Sequence, residues 1–467
     1  MTSSVYSILL VSLVFCVSVV DPTGVKIRIT NQALNMLRDQ AQAIVQEQLL
    51  NQPFEGFQIS VCTIDRLTIT QLTVHRAELR FRQNSGFQFV MQNFEARFSF
   101  NHQLDVLGFQ HTGAKEFVAQ GVSANMELSL IRTQQGRLAV AMPTCEASIE
   151  RMTLIPRTLL NVLTGCLRHL FNFLFCPLVQ RYGIPYVNQM LETIPMRAEV
   201  FPNFGISIDY SLTRDVQVTA NSLDMSFNGL VFREGENIPA LNPAVDPVFT
   251  ENNLMAYVGV SEFVFNSAAV AFYNAGILGK KFETISSRAA KRYLRFRQFF
   301  SQPWRMRAPL AAAVELTEPP RISITQRQGV TVNLRVRVSA ASVPPNREPQ
   351  VITSVSATCE VTVMVTIHGS AAGNRLFLPY SNLRCRIVTR NQLRQTLVVP
   401  LEELLNNRAS DFLEGWFRDG VELPLPHGLI FTNSLLQYQD GSVVVGGNLN
   451  LTPAGRQRVL NGDNAGR

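Results

Sequence analysis

The chain has 467 residues, of which 46% are hydrophobic and only 16% charged, with a net charge of +7 at neutral pH. An average soluble domain carries about 25% charged residues, so this composition excludes a disordered chain and describes one with much apolar surface to bury. At about 100–200 residues per domain the length allows two to three domains, and large all-β units favour two.

Residues Ile8 to Val20 read ILLVSLVFCVSVV before Asp21-Pro22-Thr23-Gly24 breaks the run. That run is shorter than the roughly 20 apolar residues a bilayer span needs, and it has the length of the apolar core of a secretory signal peptide. Residues 1–20 are therefore expected to be a leader, and the mature chain to be extracellular. Cys16 leaves with the leader, and Cys62, Cys145, Cys166, Cys176, Cys359 and Cys385 remain. An even number in a secreted chain permits disulfides, whose connectivity sequence alone leaves open. None is spaced C-x-x-C, so neither a zinc site nor a redox dithiol is expected.

Asn31 to Leu50 places Leu34, Leu37, Ala41, Ile44, Val45 and Leu49 on one stripe, with Gln, Asp and Arg elsewhere. This predicts an amphipathic helix lying on a sheet face, with Asn31 able to cap it. Strict alternation follows. Val122, Ala124, Met126, Leu128 and Leu130 alternate with Ser123, Asn125, Glu127 and Ser129. Successive strand side chains point to opposite faces, so such a run has one dry and one wet face and predicts an antiparallel strand of a curved sheet. Thr158 to Tyr182 returns to helical spacing but is apolar almost all round. Such a helix is either buried in the core or faces something apolar that is not protein.

Leu223, Met225, Phe227, Gly229 and Val231 then alternate with Ser222, Asp224, Ser226 and Asn228. Residues 233–252 include EGENIPALNPAVDPVFTEN, aperiodic and proline-rich, and read as a linker. The expected organisation is a first domain over 21–232 and a second over 253–467.

Charge divides the same way. Residues 1–230 hold seventeen basic and seventeen acidic residues, and the remainder holds the whole excess. It concentrates at Lys280, Lys281, Arg288, Lys291, Arg292, Arg295, Arg297, Arg305 and Arg307, opposed only by Glu283 and interleaved with Phe296, Phe299, Phe300 and Trp304. Helical spacing is expected over Ser286 to Phe300. Lys291, Arg292, Arg295 and Arg297 are the candidates for docking on anionic headgroups, each contributing about 1 kcal/mol near such a surface. The alternative is an ordinary solvated helix face.

Val332, Leu334, Val336 and Val338 form another alternating run, and the longest places Val355, Ala357, Cys359, Val361, Val363, Val365 and Ile367 on one face. Cys359 lies on that dry face. Cys385 sits between Leu383 and Ile387, with Arg384 and Arg386 on the wet side. Gly369 to Asn374 reads as a turn, so the two strands are expected to pair as a hairpin that brings the thiols into a disulfide. A further helix is expected near Leu401 to Phe417. Asn450-Leu451-Thr452 is a glycosylation sequon, with Asn450 as acceptor.

Catalytic motifs are scarce. The six histidines (His75, His102, His111, His169, His368 and His427) include no H-E-x-x-H pair. There is no G-x-S-x-G elbow, phosphate loop or G-x-G-x-x-G. The expectation is a non-enzymatic protein without metal or cofactor. An esterase would need a reactive serine that the pattern does not supply.

Gly24-Val25-Lys26-Ile27-Arg28-Ile29-Thr30-Asn31-Gln32-Ala33-Leu34 resembles the opening of the family of bactericidal/permeability-increasing, lipopolysaccharide-binding, phospholipid-transfer and cholesteryl-ester-transfer proteins. Ile208 to Leu212 (IDYSL) resembles that family's strand before the linker. Tyr257 to Ala268 (YVGVSEFVFNSA) resembles the strand-to-helix start of its second half, and Gly420 to Pro426 (GVELPLP) its late proline-bearing turn. Four matches in order over the mature chain make the resemblance specific.

It implies an α+β fold: an elongated two-barrel molecule, each half a twisted antiparallel sheet closed by long helices, joined by a central sheet. It implies a phospholipid-like ligand between helix and sheet of each barrel, which gives the all-apolar helix a partner that is not protein. Leu37, Ala41, Ile44, Leu163, Leu167, Leu170, Phe171 and Leu174 are the candidates for lining the first slot, with plain core packing as the alternative. It also implies a disulfide between Cys145 and Cys176. One departure stands out: the stretch corresponding to the basic tip of bactericidal members, Asn101 to Gly113, has no Lys or Arg.

The expected function is therefore carriage of lipid. Moving acyl carbon into water costs about 0.8 kcal/mol per CH₂, and an apolar slot removes that cost without any catalytic residue. The partners implied are phospholipid or another amphipathic lipid and a membrane or lipoprotein surface. A nucleic-acid partner is not expected outside the cell. The competing expectation is an innate-immune protein that binds lipopolysaccharide through the basic segment.

Overall fold

The alternating runs fold into antiparallel strands. The computed structural model describes residues 23–50, 53–54, 57–59, 62–106, 109–155, 175–192, 194–236, 241–276, 281–284, 291–292, 294–295, 309–344, 348–370, 373–377, 379–388, 421–422 and 429–452. The expected leader, residues 158–174 of the expected all-apolar helix, most of the helix expected at 286–300 and the one expected at 401–417 lie outside them. Among the described residues no helix is long and apolar enough to cross a membrane.

Three sheets carry most of the architecture. An eight-stranded sheet in the first half is built on Cys62–Thr73, Gly86–Val106, Phe109–Arg132 and Leu138–Ser148 as neighbours. Its two longest strands pair from Gly86↔Ser129 to Val106↔Phe109. A six-stranded sheet in the second half is built on Leu310–Leu316, Gly329–Ser342, Gln350–Val363 and Tyr380–Val388.

Between them lies a six-stranded central sheet to which both halves contribute. Its order is Gln217–Val218, Ser222–Phe227, Val25–Thr30, Ala256–Ser261, Ser442–Leu451, Leu429–Gln439. The middle pair is antiparallel, with Ile27 opposite Val258 and Val25 opposite Val260. Each middle strand runs into a helix: Val25–Thr30 into a 3-10 turn and then α1 (Leu34–Leu49), and Ala256–Ser261 into the helix Glu262–Asn274. The two halves of the sheet thus repeat one plan about a pseudo-twofold between Ile27 and Val258.

Segment 241–255 crosses one face of this sheet and is held from both halves. Lys26 Nζ donates to Asp246 at 3.4 Å, and Arg214 pairs with the same carboxylate oxygen. Arg28 meets Asp224 through two 2.7 Å bonds, reaches the Phe249 carbonyl and Asn252 Oδ1, and lies 5.0 Å from the Phe249 ring centroid. From the second half, the Gln439 amide bonds both the N–H and the carbonyl of Val248. Gly259 has no side chain because Pro247 occupies the place a Cβ would take.

Several expectations need correction. The N-terminal cap is Thr30, whose hydroxyl accepts from the Gln32 N–H, rather than Asn31. The run Leu223 to Val231 is two strands in two sheets, broken where Gly229 takes φ +69°. Its polar face is not wet: Ser222, Asp224 and Ser226 are buried, Asp224 through its pairing with Arg28. The run Val355 to Ile367 also breaks. Its strand ends at Val363, and Thr366–Ser370 belongs to a separate hairpin with Gly373–Phe377. Cys359 and Cys385 do face each other, but on strands separated by that inserted hairpin rather than joined by one tight turn.

The helix after the gap is α-helical over 175–178, makes a π turn at Val179–Gly183 and continues as α2 (Ile184–Glu192), well past Tyr182. The π turn has a local cause. Pro185 lacks the N–H that would reach back to residue 181, and the Ile184 N–H bonds to the Val179 carbonyl instead.

Candidate functional site

The inner face of the first sheet is a continuous apolar surface. Ile64, Phe89, Met91, Phe98, Phe117 and Met126 are all buried on it. Phe98 and Phe117 stack with centroids 4.4 Å apart. The lining is aromatic and thioether-rich, so it offers polarizable contact area to an apolar neighbour.

Two helices lie over this face. From the C-terminal one, Phe175, Leu178 and Val179 are buried in the same cluster, and the Phe175 ring is 5.6 Å from that of Phe94. Cys176 is bonded to Cys145 of strand Leu138–Ser148, with Cα atoms 5.7 Å apart. Further along, Asn188 on α2 accepts from the Val140 N–H at 2.7 Å and donates to the Val140 carbonyl at 3.0 Å. Its side chain therefore satisfies both backbone groups of one residue on the outermost strand. Arg137 donates to the carbonyls of Glu192 and Ile194 where α2 ends.

The first helix, α1, lies beside strand Arg76–Arg82 and touches the π turn. Gln42 on it donates to the Val74 carbonyl at 3.2 Å. Of the candidates for lining this slot, Leu37 and Ala41 are half-buried, and Ala41 packs against the sheet cluster. Ile44 lies on α1, but its side chain is outside the description, as are Leu163, Leu167, Leu170, Phe171 and Leu174. Gln40 Oε1 is buried and has no hydrogen-bond partner among the described residues. Being polar, it does not show in an apolar-stripe pattern.

The buried clusters of the sheet in the second half are built from smaller side chains. Val336, Val338, Ala357 and the Cys359–Cys385 disulfide form one buried cluster, and Leu294, Leu310 and Ala340 another. The Cα atoms of Cys359 and Cys385 are 4.0 Å apart. In the basic segment, Lys291 and Arg292 are exposed, Arg295 is half-buried and Leu294 is buried, so the described turn points its apolar residue inward. Arg297 lies outside the description. Asn450 is exposed on strand Ser442–Leu451, where its amide donates to Thr432 Oγ1.

The helix Glu262–Asn274, hereafter α3, closes an open strand edge as α2 does. Asn266 donates to the Ile322 carbonyl and accepts from the Ile322 N–H, both at 2.8 Å. Glu262 accepts from the Ile324 N–H, and the Gly441 N–H takes the Ile324 carbonyl.

Comparison with known proteins bears on both halves. A model of the LBP / BPI / CETP family, N-terminal domain, matches residues 33–194, and the model of its C-terminal domain matches residues 204–451. The phospholipid transfer protein of Homo sapiens is 27% identical over 461 residues, covering 93% of this chain and 92% of that protein. The human BPI fold-containing family C protein is 22% identical over 478 residues, 93% of this chain. Human lipopolysaccharide-binding protein is 24% identical over 273 residues, 55% of this chain and 56% of its own. A crystal structure of lipopolysaccharide-binding protein covers 92% of this chain and all of its own, with a TM-score of 0.55 at 17% identity.

Proposed function

This chain belongs to the LBP / BPI / CETP family, and on that premise we propose that it is an extracellular lipid carrier holding a phospholipid-like amphiphile between helix and sheet of each of its two domains. The observation that carries this reading is the pair of opposed apolar faces in the first half. Ala41 on α1 and Phe175 and Leu178 on the disulfide-tethered helix face a sheet surface of buried Phe and Met. Such a slot replaces bilayer with protein around the acyl chains, so a lipid leaves the membrane without exposing them to water. Leu37, Ala41, Ile44, Leu163, Leu167, Leu170, Phe171 and Leu174 are proposed to line it. The likeness to phospholipid transfer protein along nearly the whole chain supports phospholipid as cargo.

A second reading, recognition of lipopolysaccharide, is favoured by the likeness to lipopolysaccharide-binding protein and by the outward Lys291 and Arg292. Against it stands the absence of Lys or Arg from Asn101 to Gly113. Native mass spectrometry of the secreted protein tests the first reading. Bound phospholipid should survive mild purification, and Ala41→Trp, which fills the slot from α1, should reduce it. Lipid-free protein, or lipid content indifferent to Ala41→Trp, would remove the slot from the proposal. Binding of neutral phospholipid against lipopolysaccharide over a salt series separates the two readings, because charge-driven docking weakens with salt.

A further inference from the structure

The slot proposed above is apolar, but one of its walls carries a polar side chain. In α1, residues 37, 40, 41 and 44 fall within about 100° of one another at 100° per residue. Gln40 therefore shares one half of the α1 surface with Leu37 and with Ala41, which packs against the sheet. Its Oε1 is buried, with no hydrogen-bond partner among the described residues. Gln42, two residues on, has its amide committed to the Val74 carbonyl, so unused hydrogen-bonding capacity is not a general property of this helix.

A dry, unpaired amide oxygen is unfavourable, and nearly all buried polar atoms in folded proteins find a partner. A methionine would fill the same length of α1 at no such cost. We propose that Gln40 Oε1 is the ligand-recognition acceptor of the first slot, and that the slot prefers a lipid carrying a hydroxyl donor next to its acyl chains. This inference rests on the slot reading and names its substrate class. A diacyl lipid whose glycerol carbons are all esterified offers only acceptors at that level and leaves Gln40 unpaired. A lipid with a free hydroxyl at the same level donates to Oε1 and satisfies it. Discrimination by a buried hydrogen-bonding group is strong because the wrong ligand leaves that group stranded.

A matched pair of probes tests this: 1,2-dioleoylglycerol and the dioleate of propane-1,2-diol, identical but for one hydroxyl. Each is offered to the full-length secreted protein from phosphatidylcholine vesicles, and bound lipid is quantified by mass spectrometry. The ratio of hydroxyl to deoxy probe bound should fall about tenfold from wild type to Gln40→Met, which corresponds to ~1.4 kcal/mol. Phosphatidylcholine uptake should be retained or raised in that variant, because a fully esterified lipid no longer strands a buried amide oxygen. Equal ratios in the two proteins would overturn the assignment. So would a wild-type preference for diester over diether probes, which would put the amide N–H, not the oxygen, toward the ligand. If wild type takes up no phosphatidylcholine, the slot itself fails and this inference with it.

Discussion

Replacing Asn266 with alanine should open one strand edge without unfolding the protein. Strand Arg321–Thr325 is paired on one side with Gly329–Ser342. Its other edge is closed by α3 and by the turn at Gly441, and at Ile322 the closure among the described residues is the Asn266 amide, through two 2.8 Å bonds. Truncation removes both bonds and leaves a backbone N–H and carbonyl partly covered by the helix. At about 1 kcal/mol net for each ordinary hydrogen bond the loss is ~2 kcal/mol, or roughly thirtyfold in a local opening equilibrium. Amide hydrogen exchange resolved to single residues reads that number directly at Ile322. The amide of Ser323, which faces Thr331 inside the sheet, serves as the internal control and should change far less. Asn266→Asp keeps the acceptor and should leave Ile322 largely protected. If exchange at Ile322 in Asn266→Ala accelerates less than threefold, the edge is held by something other than this side chain.

Removing the Cys145–Cys176 bond with a double serine variant should cost ~3–4 kcal/mol on the loop-closure model for a separation of 31 residues. An unchanged thermal midpoint would show that the tether adds nothing to the packing of Phe175 and Leu178. Tyr210 is half-buried against Ile208 and Val231, and burial raises its phenol above the usual tyrosine range. Its contribution is thus complete below about pH 10 and is lost as the unfolded tyrosine ionises and the folded one resists. Tyr210→Phe should flatten the decline of the urea midpoint above that pH, and equal slopes in the two proteins would contradict this. Charge reversal at Lys291, Arg292 and Arg295 should weaken binding to phosphatidylserine vesicles by up to about a hundredfold at low salt, at ~1 kcal/mol per basic residue. Unchanged vesicle binding with the fold intact would return the segment to an ordinary helix face.

The fold was legible wherever one face of a strand is dry and the other wet, because period-two alternation is the direct imprint of a sheet surface. Cys359 and Cys385 were placed on facing dry sides by that rule alone, and the register pairs them. The rule misled where burial comes from elsewhere in the chain. Ser222, Asp224 and Ser226 read as a wet face, yet all three are buried, Asp224 against Arg28. In the proposed slot, Leu37 and Ala41 stand out as members of a stripe. An apolar-stripe pattern leaves Gln40 out, because a polar residue counts against a stripe even when it lies beside it. Asn188 and Asn266 look like any solvated helix residue. Their partners lie 48 and 56 residues away, and only the placement of an unpaired strand edge beside each helix gives the amides a task.

The middle pair of the central sheet has a consequence for the independence of the two halves. Val25–Thr30 and Ala256–Ser261 are each the innermost strand of their own half, and each covers the other's open flank. Separating the halves would bare two lengths of unpaired backbone, of the kind that recruits another chain. Because the contact is antiparallel, a half freed of its companion can offer the same strand to a second copy of itself in nearly the geometry it has lost. Expressed alone, such a half is expected to sediment as a dimer rather than as a monomer. The present single chain can be viewed as that dimer with its two subunits made unequal, one able to change its lining and surface charge while the other keeps its own.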